Sequence, residues 1–117
     1  MNQGESTKSI DLVDEVLPDA RRVEKPSRTA LLLMARGIAR VDTAHDLARA
    51  DFAEALTVAR AVGDPLVLGY VQVHYGALLR LDGDLDQARK LHPETLTIAR
   101  SSGDENLRAE AHYPAGH

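Results

Sequence analysis

A chain of 117 residues with 14 Lys and Arg against 18 Asp and Glu carries a net charge of −4, which suits one domain and, with the basic residues scattered, argues against broad nucleic-acid binding. There is no cysteine, so a disulfide framework, a zinc knuckle and a thiol nucleophile are excluded together. No apolar run approaches the ~18 residues of a membrane span, and the opening Met1-Asn2-Gln3-Gly4-Glu5-Ser6 is no signal peptide, so a cytoplasmic protein without membrane contact is expected.

The apolar residues are mostly Ala, Leu and Val, and Phe52, Tyr70, Tyr75 and Tyr113 are the whole aromatic set. Such a chain, with few β-branched runs, favours closely stacked helices. Arg far outnumbers Lys, a bias of GC-rich bacterial genomes. An N-terminal segment, 1–25, is predicted to hold a helix over 8–17, and a second helix covers 27–42; Ser6 and Ser27 fall where these begin and read as caps. A third spans 45–61, where Ala48, Phe52, Ala55, Leu56 and Ala59 recur at i, i+4, i+7, i+8 and i+11, one apolar stripe. The fourth, 65–81, carries the stripe Leu68, Val71, Tyr75, Leu78 and Leu79, and Asp64-Pro65 supplies its N-cap and first-position proline. Gly83-Asp84 gives a turn glycine and a cap for the fifth, 85–101. Pro93 falls mid-helix there, where proline costs about 3 kcal/mol and disfavours the α region for His92, so a kink or break is predicted with Glu94 restarting the helix. The sixth, 104–113, meets Pro114.

Glu54-Ala55-Leu56-Thr57-Val58-Ala59-Arg60 matches Glu94-Thr95-Leu96-Thr97-Ile98-Ala99-Arg100, and each run is followed two residues later by Gly-Asp. The same offset of forty pairs Arg40 with Arg80, Asp42 with Asp82, Asp46 with Asp86, Ala48 with Ala88 and Arg49 with Arg89. An internal repeat of this period means stacked helix pairs. The repeats run over 26–64 and 65–104, and 105–117 reads as the start of a third that is cut off, with Gly116 matching Gly76. Stacked repeats generally need three or more units. The expectation is therefore either a piece of a longer protein or a homo-oligomer that pairs through its open ends.

Tyr75-Gly76, Gly83 and Ala88 in one period, and Ala48, Phe52 and Ala55 in the other, resemble the tetratricopeptide (TPR) repeat family over roughly residues 26–116. The forty-residue, Gly-Asp-ended form is similar to the repeat arms of large bacterial LuxR-type and STAND-class regulators. Departures are His92 at the place of Phe52, Thr95 at that of Ala55, and Arg36 where a small glycine is expected. The resemblance implies an all-α fold of antiparallel helix pairs stacked as a short right-handed superhelix, an α-solenoid, whose first helices line a concave groove. Tyr70, Val73, Ala77 and Arg80 would line it in the second repeat, Ala30, Leu33, Gly37 and Arg40 in the first, with Glu110 and Tyr113 beyond. Arg40 and Arg80, stacked on adjacent helices, would clamp an acidic side chain or a terminal carboxylate; otherwise they are solvated, or pair with Asp42 and Asp82.

Other chemistry finds no seat. Asp82-Gly83-Asp84-Leu85-Asp86 fails as a calcium loop, since Gln87 and Pro93 stand where Gly and Glu are required. His45, His74, His92, His112 and His117 form no zincin motif, and His92 reads as a half-buried packing residue; only His112 and His117 would chelate a metal, and loosely. Phosphate loops, dinucleotide glycines and a nucleophile elbow are absent, and paired carboxylates such as Asp14 with Glu15 or Glu105 with Glu110 sit on polar surfaces. The sequence therefore reads as a non-enzymatic, cofactor-free protein-interaction module that binds a peptide or helix in its groove. The alternatives are a self-associating repeat fragment and a regulator domain responsive to DNA or a small molecule, the last without a spare helix-turn-helix.

Overall fold

The computed structural model describes residues 3–22 and 26–112, except for the side chains of 3–6, 20–22 and 112. The described residues form six helices and no strand: α1 (Gln3–Arg22), α2 (Pro26–Arg40), α3 (His45–Val62), α4 (Pro65–Leu81), α5 (Leu85–Ser102) and α6 (Glu105–His112). Their order follows from punctuation. Gly63, Gly83 and Gly103 take positive φ of 78°, 78° and 74° at the ends of α3, α4 and α5, a conformation that only glycine adopts without a Cβ clash. Asp64 then caps α4, accepting the Leu66 N–H at 3.0 Å ahead of Pro65. Asp104 does the same for α6 through the Leu107 N–H at 2.9 Å.

Each helix packs on its successor, and α2 also meets α4 while α4 meets α6. Helix α4 thus touches α2, α3, α5 and α6, with α3 also against α2 and α5 also against α6. The core follows the chain in three clusters. Val13 and Leu17 of α1 meet Ala30, Leu33, Ala55, Ala59, Val67 and Val71; Ala48 and Phe52 meet Tyr75, Leu78, Leu79 and Ala88; Val73 meets Ala99, Leu107 and Ala111. Helix α4 contributes to all three, so it is the spine of the molecule.

Close approach depends on two glycines. A Cβ on Gly37 would lie 3.0–3.2 Å from three atoms of the Phe52 ring, and that ring is 1% exposed and stacked on Tyr75 at 6.0 Å between centroids. A Cβ on Gly69 would meet Leu107 at 2.8 Å and Ile98 at 3.0 Å. Here α4 lies close against the side chains of α5 and α6.

Several expectations are corrected. Helix α5 runs unbroken through Pro93. Pro93 is exposed, so the carbonyl one turn back, which loses its donor, is not stranded in the core, and the following turn is pinned by the Thr97 hydroxyl donating to the Pro93 carbonyl at 3.0 Å. Helix α1 outruns the predicted 8–17 at both ends and passes through Pro18, with Val13 and Leu17 buried against α2 and α3. Ser6 and Ser27 lie within α1 and α2, not before them. Asp84 precedes α5 without capping it by a side-chain bond; its carboxylate instead takes Arg49 at 2.7 Å. Arg49 and His45, at the start of α3, also hold Asp82, so the second helix pair's turn is clamped by the first pair.

The Gly37 contact has a sign-changing test. On an open helix, Gly→Ala gains about 1 kcal/mol, whereas overpacking costs about 1–3 kcal/mol. Gly37→Ala is expected to lower stability in urea titration of the native chain and to raise it when Phe52→Leu is already present. The same sign in both backgrounds would show that the ring does not set this contact.

Candidate functional site

In the first helix pair, Arg36 and Arg40 stand one turn apart on α2 and converge on Asp51 of α3, whose side chain is 6% exposed. Arg36 meets Asp51 side-on, its Nε 3.2–3.3 Å and its Nη2 2.9 Å from the carboxylate oxygens. Arg40 Nη1 donates to Asp51 Oδ2 at 2.9 Å, and Arg36 Nη1 reaches Asp14 of α1 at 2.5 Å. Burial works against the charged Arg36, but hydrogen bonds to Asp51 and then Asp14 outweigh it and hold its pKa above the ordinary value. A buried carboxylate is tolerable because two guanidinium groups share it.

Forty residues on, the pattern changes. Gly76 stands at the place of Arg36 and Leu91 at the place of Asp51, while Arg80 repeats Arg40. With no carboxylate across from it, the Arg80 guanidinium lies back along its own helix: a Cβ on Gly76 would be 3.7 and 3.8 Å from its Nη atoms. Its Nε is buried and has no hydrogen-bond partner. Burial alone lowers its pKa, with nothing opposing.

Arg80 lines a narrow, partly open cleft between α4, α5 and α6. Gln72, Val73 and Gly76 come from α4; Ala88, Leu91, His92 and Thr95 from α5; Glu110 and Ala111 from α6. One wall is held by a polar chain. Thr95 Oγ1 donates to Gln72 Oε1 at 2.8 Å, Gln72 Nε2 donates to Glu94 Oε1 at 2.5 Å, and Glu94 pairs with Arg60 of α3 at 3.1 Å. Both the carbonyl and the amino group of a side chain only 1% exposed are therefore satisfied. Thr95 and Gln72 occupy the places of Ala55 and Leu32, so a polar pair replaces an apolar one.

Val73, Arg80 and Glu110, from the predicted groove set, meet at this cleft. Val73 is 5% exposed and offers little surface, and Ala30, Leu33 and Gly37 are buried on α2. Ala77 is half-buried on α4. Tyr70 donates its hydroxyl to the α6 cap, Asp104, at 2.9 Å, a bond that raises its pKa. Arg40 pairs with Asp51 and not with Asp42; Arg80 does not pair with Asp82, which His45 and Arg49 take. Tyr113, Pro114, Gly116 and His117 lie outside the described residues, as does the His112 side chain. Among the described residues no group of three or more His, Asp or Glu side chains is placed to hold a metal ion, and no helix is long and apolar enough to cross a membrane.

Asp51, Gly76, Leu91 and the Gln72–Thr95 pair were not among the predicted site residues. Their signal is in the sequence, as positions where the two periods depart from each other in pairs across one helix–helix contact. No family model matches the chain, and neither a curated protein nor a solved structure matches it.

The polar wall titrates. Glu94 is held below its ordinary value of 4.5, first by its hydrogen bond to Arg60, with that to Gln72 also contributing. A depressed carboxylate stabilises the fold at pH values above the unfolded value and loses that contribution as pH falls through the folded one. Glu94→Gln is therefore expected to flatten the fall in urea midpoint below about pH 4.5 relative to the native chain. Parallel pH profiles would remove Glu94 from the wall's energetics.

Proposed function

We propose that this chain is a short TPR-like α-solenoid that works as a non-enzymatic protein-interaction module, holding a peptide or helix of a partner against the row formed by α2, α4 and α6. The observation that carries the reading is the contact order: each helix packs on its successor, and α2, α4 and α6 also meet in turn. A succession of helices that touch in turn is a surface of the kind that receives an extended or helical segment. The polar groups Arg80 and Glu110 stand along it beside Ala77, all three half-buried and so partly open to a ligand.

Selection of displayed peptides on the folded chain, followed by amide-shift mapping of a selected peptide, tests this. Shifts are expected to concentrate on Tyr70, Ala77, Arg80 and Glu110. Peptides that perturb only the exposed faces of α3 and α5 would contradict the assignment.

Self-association is the second reading, favoured by Leu81 and Leu85, which are 67% and 46% exposed on either side of the Gly83 turn. Sedimentation of the native chain beside Leu81→Asp with Leu85→Asp separates it, since only a self-associating chain changes mass.

A further inference from the structure

We propose that His45, Arg49, Asp82 and Asp84 form a proton-operated latch between the two helix pairs. The charged His45 ring ties the start of α3 to the turn between α4 and α5, and the tie loosens when the ring gives up its proton. The inference is independent of what the α2–α4–α6 row binds.

The geometry selects the charge state that closes the latch. His45 Nδ1 faces the Val41 carbonyl at 3.3 Å, and Nε2 faces a carboxylate oxygen of Asp82, thirty-seven residues away in the chain. An ionised carboxylate and a carbonyl only accept hydrogen bonds. A neutral imidazole donates from one nitrogen, whereas the imidazolium donates from both. The ring therefore satisfies both neighbours only when it is protonated. One neighbour belongs to the connection within the first pair, the other to the turn of the second.

The surrounding charges favour the same state. The other Asp82 oxygen takes Arg49 Nη1 at 3.0 Å, and Arg49 Nη2 reaches Asp84 at 2.7 Å, so two cations of α3 meet two acids of the turn. Asp46, beside His45 on α3, adds a weaker attraction, while Arg40 at the end of α2 is engaged with Asp51. His45 is the first residue of α3, where the helix dipole opposes a cation, so these acids must hold the proton. The bond to Asp82, and then that to the Val41 carbonyl, raise the His45 pKa above its ordinary 6.5, with burial opposing. Burial works against the Asp82 carboxylate, but its hydrogen bonds and charge attraction to His45 and Arg49 outweigh this and hold its pKa below the ordinary value.

A group whose folded pKa is raised contributes fully below the unfolded value and loses that contribution as pH rises through the folded one. The latch is thus closed in mild acid and loosens as the pH climbs above 6.5, the opposite direction to Glu94. The His45 side chain is 42% exposed, so its proton exchanges with solvent without unfolding. Leu85 stands at the place of His45 in the repeat, so the latch belongs to this joint and is not a feature of every pair.

The test is an NMR titration of the full chain between about pH 5 and about pH 9, following the His45 ring together with solvent exchange of the Gly83 and Asp84 amides, which bond to the Arg80 and Leu79 carbonyls. The His45 midpoint is expected above 6.5 and to fall towards that value in Asp82→Asn. In His45→Gln, which keeps a donor but cannot take up the charge, both amides are expected to exchange about two- to fivefold faster than in the native chain near pH 5. Near pH 9 the two chains should match. A native midpoint at or below 6.5, a midpoint that Asp82→Asn leaves in place, or an exchange ratio that does not change with pH would overturn the proposal.

Discussion

The contact between the two helices of a pair is the constraint on which the rest of the structure depends. It is close enough in the first pair that Gly37 must be bare for the Phe52 ring to fit. A contact this tight accepts changes only in matched sets, because a lone large insert overpacks it and a lone polar or charged one goes unsatisfied. The two pairs show such sets. Gly37 with Phe52 becomes Ala77 with His92, Leu32 with Ala55 becomes Gln72 with Thr95, and Arg36 with Asp51 becomes Gly76 with Leu91. In the second of these the new polar atoms find each other at 2.8 Å. Backbone geometry persists while the filling is exchanged.

Arg80 is the member left without an exchange partner. Its counterpart Arg40 shares a buried carboxylate, whereas Arg80 carries its charge half-buried with an orphaned Nε. An unpaired polar atom of that kind costs stability of about 1–3 kcal/mol. Departures from local consistency of this sort concentrate where a protein meets something else. Arg80 stands at such a place, in the cleft between α4, α5 and α6.

Most of the helical order was legible in the sequence because its determinants are local. Asp64-Pro65 announces α4 by capping chemistry, and glycines at the ends of the stripes mark the αL turns. The limits appear where a local rule met a tertiary one. Pro93 carries a strong breaking propensity, yet the missing bond is on an exposed face and the turn after it is held by Thr97. Asp84 has the composition of a cap, but Arg49, thirty-five residues away, takes its carboxylate. Of the expected groove residues, Val73, Arg80 and Glu110 line the cleft. The sequence treated Arg40 and Arg80 as equivalent, since periodicity aligns residues and does not reveal their partners. Only contact across α2 and α3 shows that Asp51 has already claimed Arg40.

The equivalence of the two pairs can be tested by restoring the carboxylate. Leu91→Asp places an acid where Asp51 stands in the repeat, and Leu91→Asn supplies the neutral isostere. Urea unfolding of the two variants at pH 7 and at pH 3 isolates the charge. If the two pairs are equivalent, the Asp variant is the more stable at pH 7 and its advantage fades as the acid is protonated. An Asp variant less stable than the Asn variant at pH 7, as expected for a carboxylate desolvated without a cation, would contradict the account.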